Sequence, residues 1–227
     1  MLLDGPAENR TPDLLSVKEA SYHSTTGPPS NLKLVNIILN ISYLFYIDHM
    51  KFYTGNGDKG TTNLIDYGNV PKDDPLLAAI GSVDELNSSI GIALFYIHDE
   101  KVRKELDNIQ NDLFILGADL ASTLTKNKVK SFGPEPIKRL EKEIDDLAEV
   151  VGELRKFVLP RGGEGAVHLH LSRAIARKAE RDIVSASRKY KINSEIIRYI
   201  NRLSSYLFVA ALYLNKIEGL EESHPSY

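Results

Sequence analysis

The sequence predicts an all-α protein, an up-and-down bundle of five helices entered through a short glycine-rich loop. Three observations carry this. After Pro75, apolar residues recur at alternating steps of four and three almost to the end of the chain. Breaks rich in Gly, Pro or Asn divide that pattern into five stretches. The breaks are short, which favours antiparallel neighbours and alternating direction.

The first stretch carries Leu76, Ile80, Val83, Ile90, Leu94 and Ile97, with Asn87 in the seam. The second runs Val102, Leu106, Ile109, Leu113, Leu116, Leu120. On it, Asp112 and Asp119 read as solvent-facing or capping charges. After Gly133-Pro134 the third carries Ile137, Leu140, Ile144, Leu147, Val151 and Leu154, and ends before Leu159-Pro-Arg-Gly-Gly163. The fourth, Glu164 to Tyr190, keeps Val167, Leu171, Ile175, Ala179, Ile183 and Ala186 on one side. The fifth opens at Asn193-Ser194, a suitable N-cap, and carries Ile196, Ile200, Leu203, Leu207, Ala210, Leu214 and Ile217. Such spacing keeps one seam of each helix against its neighbours. A bundle alone says little about function.

Residues 1–49 differ in character and read as an N-terminal extension, disordered or not native, ahead of a domain spanning 50–227. The apolar run Leu34–Ile47 is shorter than the about 20 residues that cross a bilayer, so no membrane association is expected. Lys+Arg 28 against Asp+Glu 31 leaves −3, so no field gathers nucleic acid, and a bound anion needs a local cluster of cations. The chain holds no cysteine, which excludes disulfides, thiolate metal sites and a Cys nucleophile and fits a reducing cytoplasm.

Lys51-Phe-Tyr-Thr-Gly-Asn-Gly-Asp-Lys-Gly-Thr-Thr62 is the first segment with chemistry in it. Gly55, Gly57 and Gly60 let backbone N–H groups approach a ligand, while Thr54, Thr61, Thr62 and Lys59 add hydroxyls and a cation suited to polyphosphate. A Walker A loop would need Lys where Thr61 stands. A hairpin turn after a strand Lys51–Tyr53 accounts for the same glycines. Lys72 is a second candidate phosphate contact or a solvated charge.

Arg173, Arg177 and Arg181 stand at i, i+4 and i+8 of the fourth helix and share a face, with Lys178 at its edge and Glu180 nearby. Their mutual repulsion calls for a carboxylate or an anionic ligand, and guanidinium forks match phosphate oxygens. A salt-bridged or solvated face is the alternative. Asn201 borders the buried stripe of the fifth helix and suits an adenosine or a helix neighbour equally. On the first helix, Asp84 or Glu85 could orient an arginine of the fourth. His168 and His170 lie on different faces, and no Glu-x-x-His occurs, which removes the main signature of a di-iron bundle.

Taken together, Tyr53–Thr62, Gly81-Ser-Val-Asp-Glu-Leu-Asn-Ser88, Phe157-Val-Leu-Pro160, Leu169-His-Leu-Ser-Arg173 through Arg181, and Tyr199-Ile-Asn-Arg-Leu-Ser204 resemble the PduO-type ATP:cob(I)alamin (corrinoid) adenosyltransferases. The likeness spans Lys51 to about Asn215. It departs at Arg161, Lys178 and Ser205, where Gly, Arg and Asp are usual.

The resemblance implies a ferritin-like bundle assembled as a homotrimer, with ATP held between subunits. Thr54, Gly55, Asn56, Gly57, Lys59 and Thr62 would line the triphosphate with Lys72 nearby. Arg177, Lys178, Glu180, Arg181 and Asn201 would complete the nucleotide site. Arg173 would pair with Asp84 across the subunit boundary and act with Arg177 in catalysis, and Phe157 would displace the lower axial ligand of the corrinoid. The implied reaction moves the 5′-deoxyadenosyl group of ATP to cob(I)alamin, giving adenosylcobalamin and triphosphate. Mg²⁺ is expected on ATP rather than on protein side chains. A reductase and an adenosylcobalamin-dependent acceptor enzyme are the implied partners. A non-catalytic nucleotide-binding or corrinoid-carrier trimer is the alternative, and an ordinary helical scaffold a third reading.

Overall fold

The structure, a computed structural model, describes residues 53–64, 67–125 and 131–226. The expected extension over 1–49 lies outside them. Five helices follow a two-stranded hairpin: β1 (Thr61–Leu64), β2 (Gly68–Pro71), α1 (Pro75–Tyr96), α2 (Glu100–Ala121), α3 (Glu135–Val151), α4 (Glu164–Ser187) and α5 (Ser194–Ile217), with one 3₁₀ turn at Ser122–Leu124. None of these helices is long and apolar enough to cross a membrane.

Local chemistry sets the boundaries. The Asp74 side chain accepts from Leu76 N–H with Pro75 in the first turn, Asp99 accepts from Val102 N–H, and Asn193 caps α5 by accepting from Glu195 N–H, as the sequence anticipates. Gly152, at φ +82°, ends α3 at Val151, so Leu154 is not helical but exposed in the connection.

Of the strand expected at Lys51–Tyr53, Lys51 and Phe52 lie outside the described residues, and Tyr53 is in no strand. The hairpin begins where the glycine-rich loop ends, at Thr61, paired with Pro71. The stripe on the fourth helix is also displaced. Val167 and Leu171 face out, and the buried face of α4 is Ala166, Leu169, His170, Ser172, Ala176, Ala179, Ile183 and Ala186.

Small residues explain that displacement. Ala79, Ser82, Ser89 and Ala93 are buried on α1, the helix against which α4 packs most extensively. Ser89 Oγ lies 3.0 Å from Ser172 Oγ. A Cβ on Gly165 would meet Ile97 at 2.7 Å. Size, not apolarity, therefore selects the face. Around the bundle the neighbours run α2, α1, α4, α5, α3. Chain neighbours are thus not always packed neighbours; ion pairs from Arg139 of α3 to Glu105 and Asp112 of α2 close the ring. Leu86, Leu106, Leu116, Leu169, Ile200 and Leu207 meet in a core without solvent contact.

Candidate active site

The exposed face of α4 meets the connection 152–163 in a cleft of about 360 Å³. Phe157, Leu154, Val158 and Pro160 form its apolar lip; Arg173 and Arg177 stand on α4; Ser204, Ser205 and Phe208 of α5 form the far wall. Phe157 is 78% exposed, a large ring held in solvent at the mouth of a site. An aromatic so placed is available to a ligand rather than to the core.

At the base of the cleft two polar groups lack protein partners. The Arg173 guanidinium lies 5.9 Å over the Phe208 ring, and its Nε is buried without a hydrogen bond. Burial and then the neighbouring Arg177 push the Arg173 pKa down. His170 is 3% exposed with both ring nitrogens unpartnered; burial, then the charge of Arg173, lowers its pKa to about 4, so the imidazole is neutral. The arrangement suits a ligand that carries negative charge beside a broad apolar surface.

Along α4, Arg181 Nη1 donates to the Arg177 carbonyl at 3.0 Å, which ties the two residues on one face. Glu180 accepts from Asn201 Nδ2 at 3.0 Å, and Asn201 Oδ1 accepts from Arg202 Nη1 at 2.9 Å. Asn201 therefore has helix partners, one of its two sequence alternatives. Lys178 turns the other way: its ammonium lies 3.0 Å from Glu85 Oε2 and 2.9 Å from Ser82 Oγ, and the Glu85 hydrogen bond leads the causes that raise its pKa. Glu85 is thus engaged by a lysine, not an arginine. Asp84 is exposed on α1, and no ion pair joins it to Arg173 within the chain.

The glycine-rich segment sits elsewhere. Gly55 and Gly60, at φ +72° and +76°, permit two successive turns closed by Asp58 N–H to Gly55 O and Gly60 N–H to Gly57 O, each 3.2 Å. Thr54 Oγ1 accepts from Asn56 N–H at 3.3 Å. Lys72 N–H donates to Gly60 O at 2.9 Å, and the Lys72 ammonium lies only 2.9 Å from where a Cβ on Gly57 would be, so loop and lysine form one unit. Lys59 is exposed and Thr62 half-buried beside it. This unit stands at the N-terminus of α1, where Lys189 and Tyr190, just past the end of α4, each hold Asp74 Oδ2 at 2.7 Å. Burial disfavours the Asp74 charge, but these bonds and that from Leu76 N–H outweigh it and lower its pKa. Arg177 lies ten residues before Ser187, about 15 Å back along the helix. One chain therefore brings Phe157, Arg173 and Arg177 together and keeps the glycine loop apart.

Sequence reasoning missed several participants. Asp112 is not solvent-facing: it is buried, ion-paired with Arg139, and accepts from Tyr199 Oη at 2.8 Å. Asp119 caps no helix: it ties the α2–α3 connection to the start of α5, accepting from Phe132 N–H at 2.8 Å and Asn193 Nδ2 at 2.9 Å. Asn215, a buried amide beside Leu214 in an apolar stripe, could have been noticed as an anomaly. Of the departures, Arg161 has an exposed side chain, and its carbonyl accepts from Asn215 Nδ2 at 3.1 Å, so backbone does the work there.

An all-α bundle with a guanidinium-lined, aromatic-lipped cleft and a separate glycine–lysine unit defines a protein built to hold a polyanion near a large apolar ligand. The chain belongs to the cobalamin adenosyltransferase family, whose model matches residues 52–214. It is 41% identical over 175 residues to the corrinoid adenosyltransferase of Bacillus subtilis, covering 75% of this chain and 90% of that protein. Against the Homo sapiens corrinoid adenosyltransferase MMAB the identity is 36%, covering 76% and 72%. Among solved structures, a variant PduO-type ATP:corrinoid adenosyltransferase from Lactobacillus reuteri, complexed with cobalamin and ATP, superposes with a TM-score of 0.75 at 40% identity, covering 78% of this chain and all of that one. A second variant of that enzyme, complexed with ATP, gives 0.72 at 40% identity, covering 77% and 99%.

Proposed function

We propose that this chain transfers the 5′-deoxyadenosyl group of ATP to cob(I)alamin or a related corrinoid. The observation that carries the reading is the single cleft shared by Phe157, Arg173 and Arg177. It sets a ring suited to a corrin face beside cations suited to a leaving triphosphate. The cobalt(I) electron pair attacks the 5′ carbon; a Co–C bond forms as the C–O bond breaks, and triphosphate leaves with that bonding pair. No proton moves, so no general base is required. The protein contributes position and charge stabilisation.

Arg177 and Arg181 meet the developing charge on triphosphate, while Thr54, Gly55, Asn56, Gly57, Lys59, Thr62 and Lys72 fold over its tail. Lys178, already engaged by α1, is the weakest member of the set, and Glu180 with Asn201 faces the nucleoside. Among the described residues no group of three or more His, Cys, Asp and Glu is placed to hold a metal ion. Mg²⁺ bound to the triphosphate would add charge neutralisation there. Phe157 covers the lower face of the corrinoid, keeping its axial ligand away and easing reduction of cobalt(II).

The active enzyme in this reading is a homotrimer with ATP between subunits. Two observations support an assembly. The glycine loop and the arginines, which one nucleotide would have to touch, lie at different places on one chain. Ile92 and Phe95 of α1 and Val167 and Leu171 of α4 are exposed on two helices packed together, an apolar surface suited to another copy. There the partner's Asp84 would meet the unpaired Arg173. A cytoplasmic location, a reductase that supplies cobalt(I) and an adenosylcobalamin-dependent acceptor enzyme complete the proposal. The test is to mix the purified protein with ATP and cob(I)alamin under strong reductant. Loss of the cobalt(I) absorption with stoichiometric triphosphate is expected; if neither occurs, the activity is wrong.

A further inference from the structure

The 12 residues 152–163 that carry Phe157 form a long connection from α3 to α4, and Glu153–Phe157 are all exposed. A loop of that length holds one shape only if something outside it fixes its backbone. The chain after α5 does so. Gly219, at φ +71°, reverses the chain, closed by Leu220 N–H to Asn215 O at 2.8 Å. The returning segment bonds the loop on both sides of Val158: Leu159 N–H donates to Ser223 O at 2.7 Å, and His224 Nδ1 donates to the Phe157 carbonyl at 2.8 Å. The residue whose ring stands in the cleft is thus gripped at its own carbonyl.

Asn215 locks the junction. It is 1% exposed; its Oδ1 accepts from Gly163 N–H at 3.1 Å, and its Nδ2 donates to Arg161 O at 3.1 Å and to Glu222 Oε1 at 3.0 Å. One amide therefore satisfies the loop exit, the start of α4 and the tail together. A Cβ on Gly162 would collide with the Asn215 side chain, and one on Gly163 with Glu218, which is a reason for two glycines here. Neither Asn215 nor His224 lines the cleft of Phe157 and the arginines.

We propose that residues 219–226 are a strap that positions Phe157, and that Asn215 and His224 are positioning residues for the corrinoid half-site, acting through the loop backbone. The inference rests on the reading of Phe157 as the residue beneath the corrin ring. It predicts a split between substrates: loosening the strap weakens corrinoid engagement and leaves ATP binding intact.

Full-length protein, a chain ending at Glu218, His224→Ala and Phe157→Ala are compared for KM of corrinoid, Kd of ATP and the electron paramagnetic resonance signal of four-coordinate cobalt(II). The shortened chain and His224→Ala should raise the corrinoid KM by about tenfold and diminish the four-coordinate signal, as expected for a lost hydrogen bond of ordinary strength, with ATP affinity within about twofold. Normal corrinoid KM and signal in both variants, beside an impaired Phe157→Ala, overturn the strap. Equal losses for ATP and corrinoid overturn it too, as general destabilisation. Should the shortened chain not fold, His224→Ala, which removes one contact at the surface, decides alone. A full-length enzyme indifferent to Phe157→Ala instead sinks the reading of the half-site on which the strap depends.

Discussion

The ammonium of Lys178 lies 3.0 Å from Glu85 Oε2, bridging α4 to α1 rather than joining the face of Arg173, Arg177 and Arg181. Arg177, its immediate neighbour in the chain, turns into the cleft. Adjacent helical residues point about 100° apart, so two neighbouring cations serve different faces.

That division predicts unequal effects in one pair of variants. Arg177→Ala should lower kcat by about 10²–10³, the usual cost of removing one preorganised donor from developing charge. Lys178→Met should cost less than about tenfold in kcat and at most about 1 kcal/mol of stability, because its ion pair is half exposed. Steady-state triphosphate release measures the first quantity and thermal unfolding the second. Matching losses of turnover in the two would return Lys178 to the reacting set.

Arg139 predicts a stability effect away from chemistry. It is the cation shared by Glu105 and Asp112, 4% and 7% exposed, and these bonds raise its pKa against the opposing pull of burial. Burial, only partly countered by Tyr199 and Arg139, leaves the Asp112 pKa raised. Arg139→Met strands two carboxylates and should cost about 3 kcal/mol in urea unfolding. Adding Asp112→Asn should recover part of it. A cost near zero for the single variant would mean that water already reaches these acids.

His170 predicts how stability depends on pH. Its folded pKa is lowered from an ordinary 6.5 to about 4, by burial first and Arg173 second. Between those values the unfolded chain binds a proton that the folded protein refuses. Stability therefore falls as pH drops through this window, by about 3 kcal/mol in all for a shift of that size, and is unaffected above it. Asp74 works in the same direction, but below the ordinary carboxylate pKa, so the windows are separable. Denaturant titrations at intervals from pH 7 to 4 should show a shallower slope for His170→Asn than for the unaltered chain. Parallel curves would show that the imidazole already has a proton-accepting environment.

How far all this was legible in the sequence depends on what each residue has for neighbours. Helix number, the Asn193 cap and the motif order could be read because periodicity and capping are local. Leu171 was assigned to the wrong side because α4 packs through Ala and Ser, whose small size is invisible to an apolar stripe. Asp112 was misread because its partners, Arg139 and Tyr199, are 27 and 87 residues away. Arg173 and Phe157 stand out in the sequence as candidates, yet only the fold puts them on one cleft. The bonds from Ser223 and His224 could not be foreseen, since the tail has no pattern of its own and bonds to backbone groups of the loop.

Phe157 carries the most specific prediction. A ring 78% exposed in the free chain contributes little to folding, so Phe157→Ala should leave unfolding within about 0.5 kcal/mol and ATP affinity unchanged. Under the proposed function its loss is felt only when a corrinoid occupies the cleft. With the ring gone, the lower axial donor can return to cobalt and make cobalt(II) harder to reduce. The variant should accordingly lose most of its turnover when started from cob(II)alamin with a mild reductant, and retain more when supplied with preformed cob(I)alamin. Stopped-flow traces under the two regimes measure the difference. Should both routes slow by the same factor, Phe157 shapes the cleft for binding but does not govern the coordination of the metal.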